Sequence, residues 1–181
     1  MAGKFTEYEY DFKRLVRDIC TSRMYQLSTA TNDSNASDTT NFSHASLRRV
    51  RAEVLLDMIT QVTTTKNKFT GLPLGARAVQ IADGNTSTYF LTTFGRASRE
   101  TVCSCEVKME PNLSQALHLL NGDTVQSKVE QGGLVKALLA EGKSVPDIVK
   151  SLYVRVLTRE PTEKEISQLV ELVASEGDQD K

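Results

Sequence analysis

Apolar side chains recur every three or four positions along several stretches of this 181-residue chain, the spacing that lines one face of an α-helix. Phe5, Tyr8, Phe12, Leu15 and Ile19 form the first stripe, with Glu7, Asp11, Lys13, Arg14 and Asp18 on the other faces, and predict a helix over residues 6–22. Four of the eleven aromatics lie in the first twelve residues, so this helix is expected to be packed down rather than frayed. Leu47, Val50, Val54, Leu55, Met58, Ile59 and Val62 form the second stripe and predict a helix over 47–63, with Ser46 as its N-cap. Between them, fourteen of the twenty residues from Leu27 to Ser46 are Ser, Thr, Asn or Asp, whose side chains compete for backbone hydrogen bonds. Residues 27–46 are therefore read as a long polar loop, either a solvated connector or a surface facing a substrate or partner.

Beyond residue 110 the helix boundaries are written in the capping residues. Asn112 with Gln115 opens a helix that Asn121-Gly122 closes, and Asp123 opens the next, which ends before Gly132-Gly133. Leu134 to Glu141 stops at Gly142, then Ser144, Pro146 and Asp147 start a helix with Val145, Ile148, Val149, Leu152, Tyr153 and Val156 on one face. Thr162 and Glu165 form a capping box ahead of Ile166, Leu169, Val170 and Val173. Residues 111–176 thus read as a helical bundle. The intervening stretch, 64–110, is glycine-dotted and irregular: Ala78, Val79 and Ile81 suit a short strand, and Tyr89 to Phe94 suits either a strand or one helical turn closed by Gly95. The expected fold is mainly α, a bundle of short capped helices with a long polar loop and a small irregular or short-strand middle.

Charge refines this picture. The net charge of -1 is a cancellation between a neutral first third, a middle with six basic and three acidic residues, and a C-terminal part with eight basic and twelve acidic. A balance this even excludes nucleic-acid binding by bulk positive charge and a basic membrane-surface helix, and no apolar run is long enough to cross a bilayer. Arg48, Arg49 and Arg51 would sit in the first turn of the 47–63 helix and oppose its dipole, which suggests pairing with Glu53, Asp57 or an acidic helix, or an anion site.

The most chemical stretch is Cys103-Ser104-Cys105-Glu106. On a strand the two thiols share a face and form half of a soft-metal site, with Glu106 and His118 as the available further ligands. Structural thiols, or a strained disulfide involving one or both, are the other readings, and Cys20 is read as core filling. Arg96 and Arg99 flank Gly95 and give this stretch a basic rim, unless they pair with the acidic C-terminal helices. His44 is read as solvated, and Asp33 and Asp38 lack the spacing of a calcium loop. No nucleophile elbow, phosphate loop or dinucleotide fingerprint is present, and no cofactor is implied.

Several blocks together resemble the planctomycete-type domain-of-unknown-function family 1553. They are Ser22-Arg23-Met24-Tyr25-Gln26-Leu27-Ser28; Arg48 through Asp57; Phe94-Gly95-Arg96; Arg99 through Glu106; Leu113 through Asn121; and Leu152-Tyr153 with Leu157-Thr158-Arg159-Glu160-Pro161-Thr162. The family's N-terminal Asn-Pro and Asn-Arg-Trp-like pattern is absent, and Ala97 stands where the family has proline, so 1–181 is expected to be a single partial domain. The resemblance implies a periplasmic or exported protein carrying a companion uncharacterised domain upstream, often with a cytochrome c-like domain. Three functional readings follow. The first is an accessory or interaction module that docks to that companion or to another protein, without nucleic acid and without membrane insertion. The second is a fragment of an exported enzyme acting on polysaccharide or another substrate, with Arg96, Arg99, Glu106 and His118 as catalytic candidates. The third is a metal-binding module at Cys103 and Cys105.

Overall fold

The structure, a computed structural model of the chain, describes residues 1–84, 86–99 and 110–176. The chain is mainly α-helical, and no strand forms among the described residues. It divides into two compact units, residues 1–49 and 50–181.

In the first unit the stripe expected to make one helix over 6–22 makes two, α1 (Ala2–Glu7) and α2 (Phe12–Thr21). The break follows from Asp11, whose carboxylate accepts from the Arg14 N–H at 3.1 Å and caps α2. Glu9 and Tyr10 just before it turn the chain through left-handed backbone, with φ of 50° and 64°. An apolar period passes straight through this break, because the four residues from 8 to 11 span about one helical turn. Phe5 packs edge-on against Tyr10, and Arg14 lies over the Tyr8 ring. Neither helix buries a residue, so the aromatics cluster at the surface instead of being packed down as expected. Residues 27–46 form the predicted loop, built from side-chain turns. Asp38 accepts from the Thr40, Asn41 and Ser43 N–H groups, and its carboxyl is held well below the ordinary range by hydrogen bonds from the Ser43 side chain and the Asn41 and Thr40 backbone.

The second unit is organised around α3 (Ala52–Thr63). This helix begins five residues later than its apolar stripe predicts. Arg51, not Ser46, is its N-cap, and Leu47 is exposed outside the helix. The late start moves Arg48 and Arg49 out of the first turn, leaves Arg51 at the N-cap, and puts Glu53 in the first turn, where a carboxylate is favoured. Ala52 and Leu56 bury themselves against Phe69, Ala76, Ala78, Ile81, Phe90, Leu91 and Phe94, the main apolar core. The segment suited to a strand is a 3₁₀ turn, Ala78–Gln80, because the Asp57 carboxylate takes the Ala78 N–H at 2.6 Å and the Val79 N–H at 3.3 Å. Tyr89–Thr93 is helical (α4), with Thr88 capping the Leu91 N–H and Gly95 at φ 78° after its end.

The capping residues of the C-terminal half place the helices nearly as read. They are α5 (Leu113–Asn121), α6 (Asp123–Gly132), α7 (Leu134–Ala140), α8 (Val145–Leu157) and α9 (Glu163–Glu176). Asn112 and Gln115 make a reciprocal capping box, Ser144 caps α8, and Thr162 and Glu165 cap α9. Helix α6 packs on α3 and α5, and α8 on α7 and α9. The C-terminal carbonyls of α3 are met from two directions. Arg155 of α8 donates to Val62 O at 2.7 Å and Gln61 O at 3.0 Å, and the Thr64 hydroxyl donates to Thr63 O at 2.6 Å.

The crossing of α3 and α6 depends on Gly132, where an added Cβ would stand 1.9 Å from Thr63 O. Gly132→Ala therefore forces backbone apart and should lower unfolding free energy by about 1–3 kcal/mol in urea denaturation. A pH effect is expected at α9. Glu165 takes both guanidinium nitrogens of Arg159, at 2.7 and 3.0 Å, and the Thr162 N–H at 2.8 Å. The Arg159 hydrogen bonds first, then Thr162, lower its carboxyl from 4.5 to about 2. Because the folded value lies below the unfolded one, the contribution is complete above about pH 4.5 and is lost as pH falls toward 2. Thermal midpoints measured across that window should fall more steeply in the wild-type chain than in Glu165→Gln.

Candidate functional site

Arg96 is deeply placed, its side chain only 2% exposed. It follows α4 and Gly95, and its guanidinium closes on the loop that precedes α4. It donates to Thr86 O at 2.8 Å, Asp83 O at 2.7 Å and Ile81 O at 3.3 Å. Its Nε lies 3.5 Å from Glu53 Oε1, an ion pair without hydrogen-bond geometry. Arg99 serves the same loop from outside, donating to Ala82 O at 2.7 Å. Gly84 lets the two limbs meet, since a Cβ there would overlap Ser98 O. These two arginines therefore bind loop carbonyls, with Glu53 of α3 as the acidic partner of Arg96. Glu53 and Asp57 of α3 engage Arg96 and Arg77.

His118 is elsewhere. It is 9% exposed, on the inner face of α5, with its ring 5.3 to 6.1 Å from those of Tyr89, Phe90 and Phe94. Its Nε2 is enclosed and has no hydrogen-bond partner among the described residues. Gln115, one turn earlier and 5% exposed, donates to Thr93 O at 3.0 Å. The inner face of α5 is thus polar, and the outer face is apolar. Leu113, Leu117 and Leu120 follow one another at i, i+4 and i+7 and stand 73%, 51% and 77% exposed. This reverses the usual arrangement of a surface helix. Periodicity could not have shown it, because the leucine stripe is equally regular whichever way it points.

Cys103, Cys105 and Glu106 lie outside the described residues. Cys20 is exposed, not in a core. His44 is half-buried with Nδ1 enclosed, where sequence predicted a solvated ring. No group of three His, Cys, Asp or Glu side chains suited to a metal occurs among the described residues, and no helix there is long and apolar enough to cross a membrane.

Sequence reasoning missed a groove beside α6. Lys128 of α6 donates to Asn67 Oδ1 at 2.7 Å and Thr65 Oγ1 at 3.2 Å, and Asn67 in turn donates to Thr60 Oγ1 at 3.0 Å. Burial pushes the Lys128 ammonium below its ordinary value. A lysine in an unremarkable amphipathic helix carries no signal of this, since the partners are some sixty residues away in the chain.

This mainly helical chain matches a family model over residues 1–173. The family is described as PSD1, protein of unknown function (DUF1553), and the chain belongs to it. No curated protein and no solved structure matches.

If Arg96 is the loop clasp described, Arg96→Met strands Glu53 and three carbonyls. Its unfolding free energy should fall by about 3 kcal/mol or more, as when one partner of a buried pair is removed. Chemical denaturation measures this; an unchanged midpoint would contradict the clasp.

Proposed function

We propose that this chain is an accessory interaction module of a larger cell-envelope or exported protein, and that α5 is its docking helix. The observation that carries this reading is the outward leucine face of α5. Three leucines in a row along one helix, each at least half exposed, form a narrow apolar stripe of the kind that seats in a partner's groove. Leu119 and Val129 add exposed apolar area on α5 and the neighbouring α6. The favoured occupant is the companion domain that the family resemblance implies upstream, which would place both in the periplasm or outside the cell. An exported enzyme fragment and a metal-binding module are the alternatives; they rest on Cys103, Cys105 and Glu106, while Arg96 and His118 are committed to a loop clasp and an aromatic cluster.

Because Leu117 and Leu120 are exposed, replacing both with Asp should change folding stability by no more than about 0.5 kcal/mol per site. The same double variant should lose binding to a separately expressed companion domain by at least about tenfold, the effect of putting charge into an apolar contact. Isothermal titration with wild-type chain and variant measures it. Equal affinity for both, or none for the wild type, would remove the support for this reading.

A further inference from the structure

We propose that the groove between the 67–69 segment, the start of α4 and α6 is a binding site for a small organic carboxylate with an apolar body, anchored by Lys128. The cavity is about 330 Å³, room for a compact ligand of roughly one ring. Its charged lining residues are Lys68 and Lys128, with no carboxylate among them. Two like charges beside one partly closed, low-dielectric space favour an anion there.

The chemistry of the lining narrows the class. Lys128 spends two of its three N–H donors on Asn67 and Thr65, leaving one for a ligand. Thr88 and Thr124 also line the space. A carboxylate needs few donors. A phosphate dianion needs more, and is usually met by guanidinium forks, while no arginine lines this groove. The remaining walls are Leu56, Phe69, Phe90 and Tyr89, the first three buried in the core and the last an exposed ring at the rim. Such walls shelter an apolar or planar body while the ammonium holds the charged end. The site is pre-organised, because Asn67 is buried and fixed by Thr60, and Asn67 fixes Lys128.

This site is separate from the α5 leucine face, and either proposal stands without the other. The test is titration of the full chain with phenylacetate, followed by two-dimensional NMR. Saturable shifts should appear at Lys128, Phe69 and Tyr89. Phenylacetamide, the same shape without charge, should bind at least about tenfold more weakly, the difference expected for losing a charge-assisted hydrogen bond. Inorganic phosphate should bind more weakly than phenylacetate. Lys128→Gln, if its spectrum stays dispersed, should lose phenylacetate binding by a similar factor, and Lys68→Gln by less. Should Lys128→Gln not fold, the three wild-type titrations decide. The proposal is overturned by the absence of saturable shifts with phenylacetate, by equal binding of the amide, by tighter binding of phosphate, or by unchanged binding in a folded Lys128→Gln.

Discussion

Two carboxylates one turn apart on α3 hold the segment from Arg77 to Arg96 against that helix. Asp57 is buried and takes the backbone N–H groups of Ala78 and Val79, with Arg77 beside it. Glu53 lies against Arg96, which in turn closes the loop at Ile81, Asp83 and Thr86. Hydrogen bonds involving a charged group are worth about 1.5–3 kcal/mol each, against about 1 for neutral ones. This pair of contacts can therefore fold a glycine-dotted stretch that has little helical or strand preference of its own. Once that stretch is fixed, Ile81, Phe90, Leu91 and Phe94 are delivered to the face of α3 that carries Ala52 and Leu56, and the core closes.

The same economy governs the helix ends. Helix α3 starts beyond its arginines, with Glu53 in its first turn, and finishes with carbonyls taken up by Arg155. The basic middle and the acidic C-terminal part do not simply attract one another: the buried cation of the middle is spent on loop carbonyls and on Glu53, and a cation from the acidic part caps α3. Net charges summed over segments misjudge such pairings, because Coulomb attraction in water is weak until burial and hydrogen-bond geometry concentrate it.

Much of the fold was legible where a short-range rule decides structure. The boundaries of α5 to α9 follow from Asn112, Gly122, Ser144, Thr162 and Glu165, whose capping bonds span three residues and are complete within the sequence itself. The rule failed where a local signal competed with a longer pattern. Asp11 split the first stripe into α1 and α2, and α3 starts at Ala52, with Leu47 and Val50 outside it. The candidate site was less legible. Arg96 and His118 were visible as unusual residues, but their roles depend on partners ten to forty-three residues away, and Lys128 gave no local sign at all.

The sequence by itself determined that this is a mainly helical protein, where most of its C-terminal helices begin and end, and that it is a member of a family of unknown function. Those properties rest on periodicity, on caps and on residue blocks read in order. The tertiary structure alone decided which way α5 faces, that Arg96 is a clasp within the core, and that Lys128 lies in a groove with no acidic residue in its lining. A helix with leucines on one side and Gln115 and His118 on the other is satisfied locally in either orientation. Only the packing of α4 against Gln115 and His118 turned its polar side inward and left its leucines in solvent.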